Sequence, residues 1–180
     1  MPNWCNNWAE ITGPTEKMEE LFEAGKDEKF LEHMAPLGDW EYHDALSSWG
    51  TKWEIDTCDL ALIKNGDTAT IRGYFQSAWS PPEQAFMTYM MNNEGVSADC
   101  LYFEPAMDFV GSISEGTFSV YDNKAFFEND PVGIKFDEHF GIIDMLEEYD
   151  EELQFEAINT DPTILTNPEG NDSKTEETTE

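Results

Sequence analysis

Apolar positions along this chain recur at two periods, and each change of period marks the expected end of an element. Residues 7–12 form a short β-favouring run that stops at Gly13-Pro14, a pair that regular elements rarely cross. Thr15 then reads as the N-cap of an amphipathic helix with Met18, Leu21 and Phe22 on one face and Gly25 as its end signal. A second helical stretch is expected at residues 26–34. Residues 36–49 have no clean period and read as loop, with a short helix at residues 43–48. From 53 to 63, Ile55, Thr57, Asp59, Ala61 and Ile63 alternate with Asp56, Cys58, Leu60 and Leu62, and a β pattern resumes over residues 68–75. Asn65-Gly66 between the two runs predicts a type I′ hairpin, because both residues tolerate positive φ. Ser80-Pro81-Pro82-Glu83 has capping-box spacing with proline at the first helical position, and predicts a helix to residue 93 ended by Gly95. Residues 96–103 are strand-like, and residues 109–121 read as a further hairpin turning at Glu115-Gly116.

Strand, helix, strand, strand, helix, strand and an added strand pair is an α+β order. It matches the ferredoxin-like βαββαβ pattern, an antiparallel sheet with helices on one face. The expected division is a ferredoxin-like domain over residues 1–121, an acidic helical extension over 122–158, and a disordered acidic tail over 159–180. In the extension, Phe140, Ile143, Leu146, Tyr149 and Leu153 recur at spacings of three and four, which predicts one helix over residues 137–156. The tail is rich in Thr, Asn, Pro, Glu, Gly and Ser, with Ile164 and Leu165 its only large apolar residues.

Charge narrows the functional classes. Nine Lys and Arg stand against 39 Asp and Glu, for a net charge of −30 over 180 residues. Arg72 is the only arginine. Nucleic acid and anionic membrane are bound largely through cationic side chains, so neither is an expected direct partner. Hydrophobic content of 39% and six tryptophans supply the core that a disordered chain would lack. Cys5, Cys58 and Cys100 are odd in number and far apart, which suits a reduced, cytoplasmic setting rather than a disulfide framework. No signal peptide or membrane span is expected.

Met1-Pro2-Asn3-Trp4-Cys5 with Asn7, then Trp49-Gly50-Thr51-Lys52-Trp53, then Ala78-Trp79-Ser80-Pro81-Pro82 at a strand-to-helix junction, resemble the YubB-like proteins of phages and plasmids. Tyr102-Phe103-Glu104 and Phe109-Val110-Gly111 are similar to the aromatic, Glu and Gly pattern of that family. The resemblance spans residues 1–121. It implies a mobile-element or bacteriophage origin and a ferredoxin-like domain, and it carries over no catalytic residues.

No catalytic set emerges from the residues. Pro2, exposed by removal of Met1, could serve as an N-terminal general base, but a chain with one arginine is poorly equipped to hold an anionic substrate. The alternative is that Pro2, Trp4 and Cys5 pack the start of strand one. His33, His43 and His139 lie singly, without zinc-ligand spacing, and read as surface histidines. The acid-rich residues 122–130 lack the ligand spacing of a calcium loop and read as solvated. No metal or cofactor is expected. The cysteines lack basic neighbours that would stabilise a thiolate. Trp49, Trp53 and Trp79 read as core and junction packing.

The acidic helix stands out. Asp137, Glu138, Asp144, Glu147, Glu148, Asp150, Glu151, Glu152 and Glu156 place nine carboxylates in 20 residues with no Lys or Arg. At about 1.5 Å per residue that is one per about 3.3 Å of helix, against about 3.4 Å per phosphate along one DNA strand. The leading expectation is a phage-encoded, non-enzymatic DNA mimic. Its carboxylates would occupy the basic cleft of a host DNA-binding or defence protein of the restriction type. The alternatives are a solvated face whose charge serves solubility, on a module that binds partners through an aromatic surface near Trp49 to Trp53, or an undetected small-molecule enzyme.

Overall fold

The computed structural model describes residues 3–160, with side chains described through Leu153. The chain divides into two units between Ile143 and Asp144. The first holds a six-stranded antiparallel sheet. Its strands are β1 (Trp4–Pro14), β2 (Leu60–Asn65), β3 (Thr68–Ala78), β4 (Ser97–Glu104), β5 (Phe109–Ser112) and β6 (Gly116–Phe118), in the order β2-β3-β1-β4-β5-β6. The added pair extends the sheet beyond β4, so the order is not that of a four-stranded ferredoxin-like sheet.

β1 pairs with β3 along its whole length, from Trp4↔Ala78 to Pro14↔Thr68. It therefore runs through Gly13-Pro14, where a stop is expected. The ladder with β4 ends at Thr12↔Ser97, so Pro14 lies beyond it, at the strand end where a missing N–H is tolerated. β2 is shorter than the alternation at residues 53–63 predicts. A Cβ on Gly73, the partner of Leu60, would meet the Asp59 carbonyl at 2.2 Å, so the chain before Leu60 crosses the edge of β3 instead of pairing with it. The β2–β3 turn has two central residues, Gly66 and Asp67, since Asn65 still pairs with Thr68. Only Gly66 has positive φ, at 65°, so the turn is not type I′ but of the glycine-first kind.

Four helices cover one face: α1 (Thr15–Lys26), α2 (Phe30–Met34) and α3 (Tyr42–Ser48) between β1 and β2, and α4 (Glu83–Asn92) between β3 and β4. Alternation along the strands sends Ala9, Ile11, Ala69, Ile71 and Phe75 to this side, where they meet Met18, Leu21, Phe30, Leu31, Phe86 and Tyr89. Each large side chain buried there contributes about 1.5–3 kcal/mol. The expected side-chain caps do not form. Thr15 donates its hydroxyl to the Gly66 carbonyl at 3.0 Å, and Ser80 donates to the Gly50 carbonyl at 2.5 Å. Both hydroxyls join separate segments instead of closing their own helices.

Helices also cover the other face, which corrects the one-sided arrangement expected. α5 (Lys124–Asn129) and α6 (Pro131–Phe140) occupy the stretch expected to begin as a solvated loop. Phe118 lies 4.8 Å from Phe126 and 6.0 Å from Phe136, Phe103 lies 5.6 Å from Phe140, and Trp8 lies 4.5 Å from His139, between ring centroids. Gly133 lets α6 approach α5, since a Cβ there would stand 2.1 Å from the Phe126 carbonyl oxygen. The first unit thus continues past Tyr121. The final helix is α7 (Ile142–Thr160). Pro2 and residues 161–180 of the expected acidic tail lie outside the described residues. Among the described residues, no helix is long and apolar enough to cross a membrane.

Candidate functional site

The nine carboxylates do not share one helix. Gly141 ends α6 in the left-handed region, φ 62°, and α7 starts at the next residue. A side-chain period of three and four continues across this break, which is why the sequence reads as one element. Asp137 and Glu138 lie in the last turn of α6, while Asp144, Glu147, Glu148, Asp150, Glu151, Glu152 and Glu156 lie in α7. Asp137 is engaged, its Oδ1 accepting the Ile143 N–H at 2.8 Å. Glu138 is exposed, as are Asp144, Glu147, Glu148, Asp150, Glu151 and Glu152. At about 100° per residue those six α7 carboxylates cover an arc of about 200°.

A second concentration of features lies at one end of the sheet, where the three motif segments converge. The Trp79 N–H donates to the Asn3 carbonyl at 3.0 Å, Thr51 donates its hydroxyl to the Ala78 carbonyl at 2.9 Å, and the Ala85 N–H reaches the Trp49 carbonyl at 3.3 Å. Gly50 has φ 88°, and a Cβ there would meet the Pro81 carbonyl at 2.9 Å, so the close approach of the two loops needs glycine. Trp79 itself takes φ 74° although it is bulky, and its side chain is 42% exposed. A strained, exposed aromatic residue of this kind is held by its surroundings, here by the latches on either side.

Beneath this junction lies a buried polar network. Asn7 donates to the Cys5 carbonyl at 2.8 Å and to Ser77 Oγ at 2.9 Å, and Ser77 donates to the Ser80 carbonyl at 2.8 Å. The thiols of Cys5 and Cys100 point to Asn7 Oδ1 at 3.7 and 3.9 Å. Burial is the main cause that pushes the Cys5 thiol up to about 12, and it raises Cys100 well above its ordinary value. Both are inert thiols, not nucleophiles. Cys58 is exposed, and its hydrogen bond with the Asp56 side chain raises its pKa as well.

The histidines are placed differently from one another. His33 and His43 are exposed, but His139 is partly buried beside Trp8, with Nδ1 3.0 Å from the Tyr74 hydroxyl. Burial, followed by Lys135, lowers its pKa, against the opposing effect of Glu138. No cluster of three or more His, Cys, Asp or Glu side chains suited to a metal ion occurs among the described residues. Of the aromatic surface near Trp49 to Trp53, Trp49 is buried, whereas Trp40, Tyr42 and Trp53 are exposed around Lys52, whose Nζ lies 4.2 Å from the Trp53 ring centroid. Glu54, next in sequence, turns inward. Its carboxylate accepts the N–H groups of Leu31 at 2.7 Å and Glu32 at 3.1 Å, and burial, with Glu32 nearby, raises its pKa despite those bonds.

No family model, curated protein or solved structure matches this chain.

Proposed function

We propose that the protein is a non-enzymatic acidic inhibitor that acts in the cytoplasm of an infected bacterium. It occupies the basic DNA-binding cleft of a host defence protein, with carboxylates in place of phosphates. The observation that carries this reading is the exposed acidic arc of α7, formed by Asp144, Glu147, Glu148, Asp150, Glu151 and Glu152. With Glu156, the sequence of α7 places seven carboxylates in residues 144–156, one per about 3 Å of helix at about 1.5 Å per residue, near the phosphate spacing of a DNA strand. Rows at i,i+4, such as Asp144, Glu148 and Glu152, repel one another by a few tenths of a kcal/mol per pair, so the helix bears a cost that binding a basic partner would offset. Asp137 leaves the proposed contact set, because its carboxylate is occupied within the fold.

The motif segments support a YubB-like relationship and a phage or plasmid origin. Within the sheet, we read β1 to β4 as a ferredoxin-like core to which β5 and β6 are added. A second reading rests on Trp40, Tyr42 and Trp53, an exposed aromatic group on a module whose charge serves solubility. Salt separates the two. Affinity capture from host lysate should retain a basic DNA-binding protein at low salt and release it at high salt. A variant with Asp144, Glu147, Glu148, Glu151 and Glu152 changed to Asn or Gln should lose that capture by tenfold or more. Equal capture by the variant, or retention that is indifferent to salt, would overturn the mimic.

A further inference from the structure

Trp40, Trp49, Trp53 and Glu54 line a shallow hollow of about 390 Å3, open to solvent, on the surface of the first unit. Two of the three indoles are fixed by their own N–H groups, Trp49 Nε1 donating to the Ala35 carbonyl at 2.8 Å and Trp40 Nε1 to the Lys52 carbonyl at 3.2 Å. Among the described residues, no ring–ring contact joins Trp40, Trp49 or Trp53 to one another, so stacking does not fill the space between them. What these walls offer is π surface, negative on its faces, together with one carboxylate.

That lining selects by chemistry. The Trp40 and Trp49 N–H groups are already used, which leaves an anion little to bind. A primary ammonium would need acceptors for three N–H groups, yet Glu54 already accepts from Leu31, Glu32 and Ile55. A quaternary ammonium has no N–H to satisfy, and its charge is spread over methyl groups that pack against aromatic faces. The neighbouring surface already holds a cation, since Lys52 Nζ sits 4.2 Å from the Trp53 centroid and 5.6 Å from that of Tyr42. Lys52 lies over the Trp53 ring but is not itself among the residues that line the hollow. We propose that the hollow binds a trimethylammonium group, carried by a small molecule or by a methylated lysine side chain. This site is independent of α7 and of the inhibitor reading.

The test follows the six indole N–H resonances of the full-length protein by NMR during titration with choline, with sodium chloride at matched ionic strength as the blank. The resonances of Trp40, Trp49 and Trp53 should shift together and saturate, while those of Trp4, Trp8 and Trp79 stay in place. 3,3-Dimethylbutan-1-ol, the uncharged carbon isostere of choline, should bind at least tenfold more weakly. Trp53→Leu and Trp40→Leu, each checked for a native spectrum, should each reduce choline affinity by tenfold or more. A peptide with one trimethyllysine separates the sources: binding tenfold tighter than choline assigns a methylated protein, and equal binding assigns a small molecule. Shifts no larger than the salt blank, or equal affinity for the neutral isostere, would overturn the proposal.

Discussion

Asp137 accepts the backbone N–H of Ile143 at 2.8 Å while its own carbonyl takes the N–H of Gly141 at 2.7 Å. One residue thereby closes the end of α6 and serves an N–H in the first turn of α7. Asp137→Ala should cost about 1 kcal/mol, the usual worth of a helix-end cap, and Gly141→Ala about 1–2 kcal/mol through its positive φ. Neutralising the α7 carboxylates should instead leave stability unchanged or slightly raised. Urea unfolding of the three variants side by side checks this contrast, and equal losses in all three would contradict it.

The β2–β3 turn provides a second check. A Cβ on Gly66 would meet nothing within 4 Å, so any penalty there is one of backbone conformation and not of space. Gly66→Val should therefore destabilise by about 1–2 kcal/mol, while Gly66→Asn, which tolerates the left-handed region, should cost clearly less. If the two variants show the same thermal midpoint, φ does not govern this turn.

Trp79 is expected to behave in the opposite sense. Its φ of 74° represents about 1–3 kcal/mol of stored strain, and its ring is half exposed. Trp79→Asn should leave the thermal midpoint in place or raise it, because the strain falls while little packing is lost. A drop of several degrees would show that the ring packs more than it strains.

For His139 the sign of the pH effect follows from its depressed pKa. Above the ordinary value of 6.5 both folded and unfolded chains hold it neutral. As pH falls below that value the unfolded chain takes up the proton first, so the contribution of neutral His139 to stability is lost until the lower folded pKa is passed. Native stability relative to His139→Gln should therefore decline between pH 8 and pH 5. Carboxylate titration cancels in that difference, and a flat difference would place His139 in an environment that does not penalise its charge.

Local signals are legible where one element dictates its own pattern. The amphipathic face of α1, the pairing of the two runs around Asn65-Gly66 and the helix after Pro82 follow from spacing, whereas the turns themselves shift: Gly66-Asp67 are the central residues of the first, and Gly116 opens β6 opposite Ser112, after a turn at residues 113–115. The failures occur where distant contacts take over. Thr15 and Ser80 look like caps, but the nearest acceptors for their hydroxyls are carbonyls brought in by the fold. The alternation at Ile55, Thr57 and Asp59 resembles a strand, yet Glu54 is drawn to the backbone of α2 and Asp59 crosses over Gly73. α5 and α6 are rich in phenylalanine, and that was a readable sign of a second covered face. At the candidate sites, the acidic composition was legible but the break at Gly141 was not, because the apolar period continues through it. The convergence of Asn3, Thr51 and Trp79 depends on strand register, which no local pattern encodes.

The buried thiols also report on the opening of the layer packed over the sheet. Cys58 is open to solvent, whereas Cys5 and Cys100 lie on adjacent paths of β1 and β4 with no exposed surface. An alkylating reagent will modify the first on the timescale of its encounter, limited only by the thiolate fraction. The other two project to the face covered by α1 to α4 and can react only when that layer opens. The lag between one adduct and three, read by mass spectrometry, therefore measures how often the packing over this face of the sheet opens in the native state.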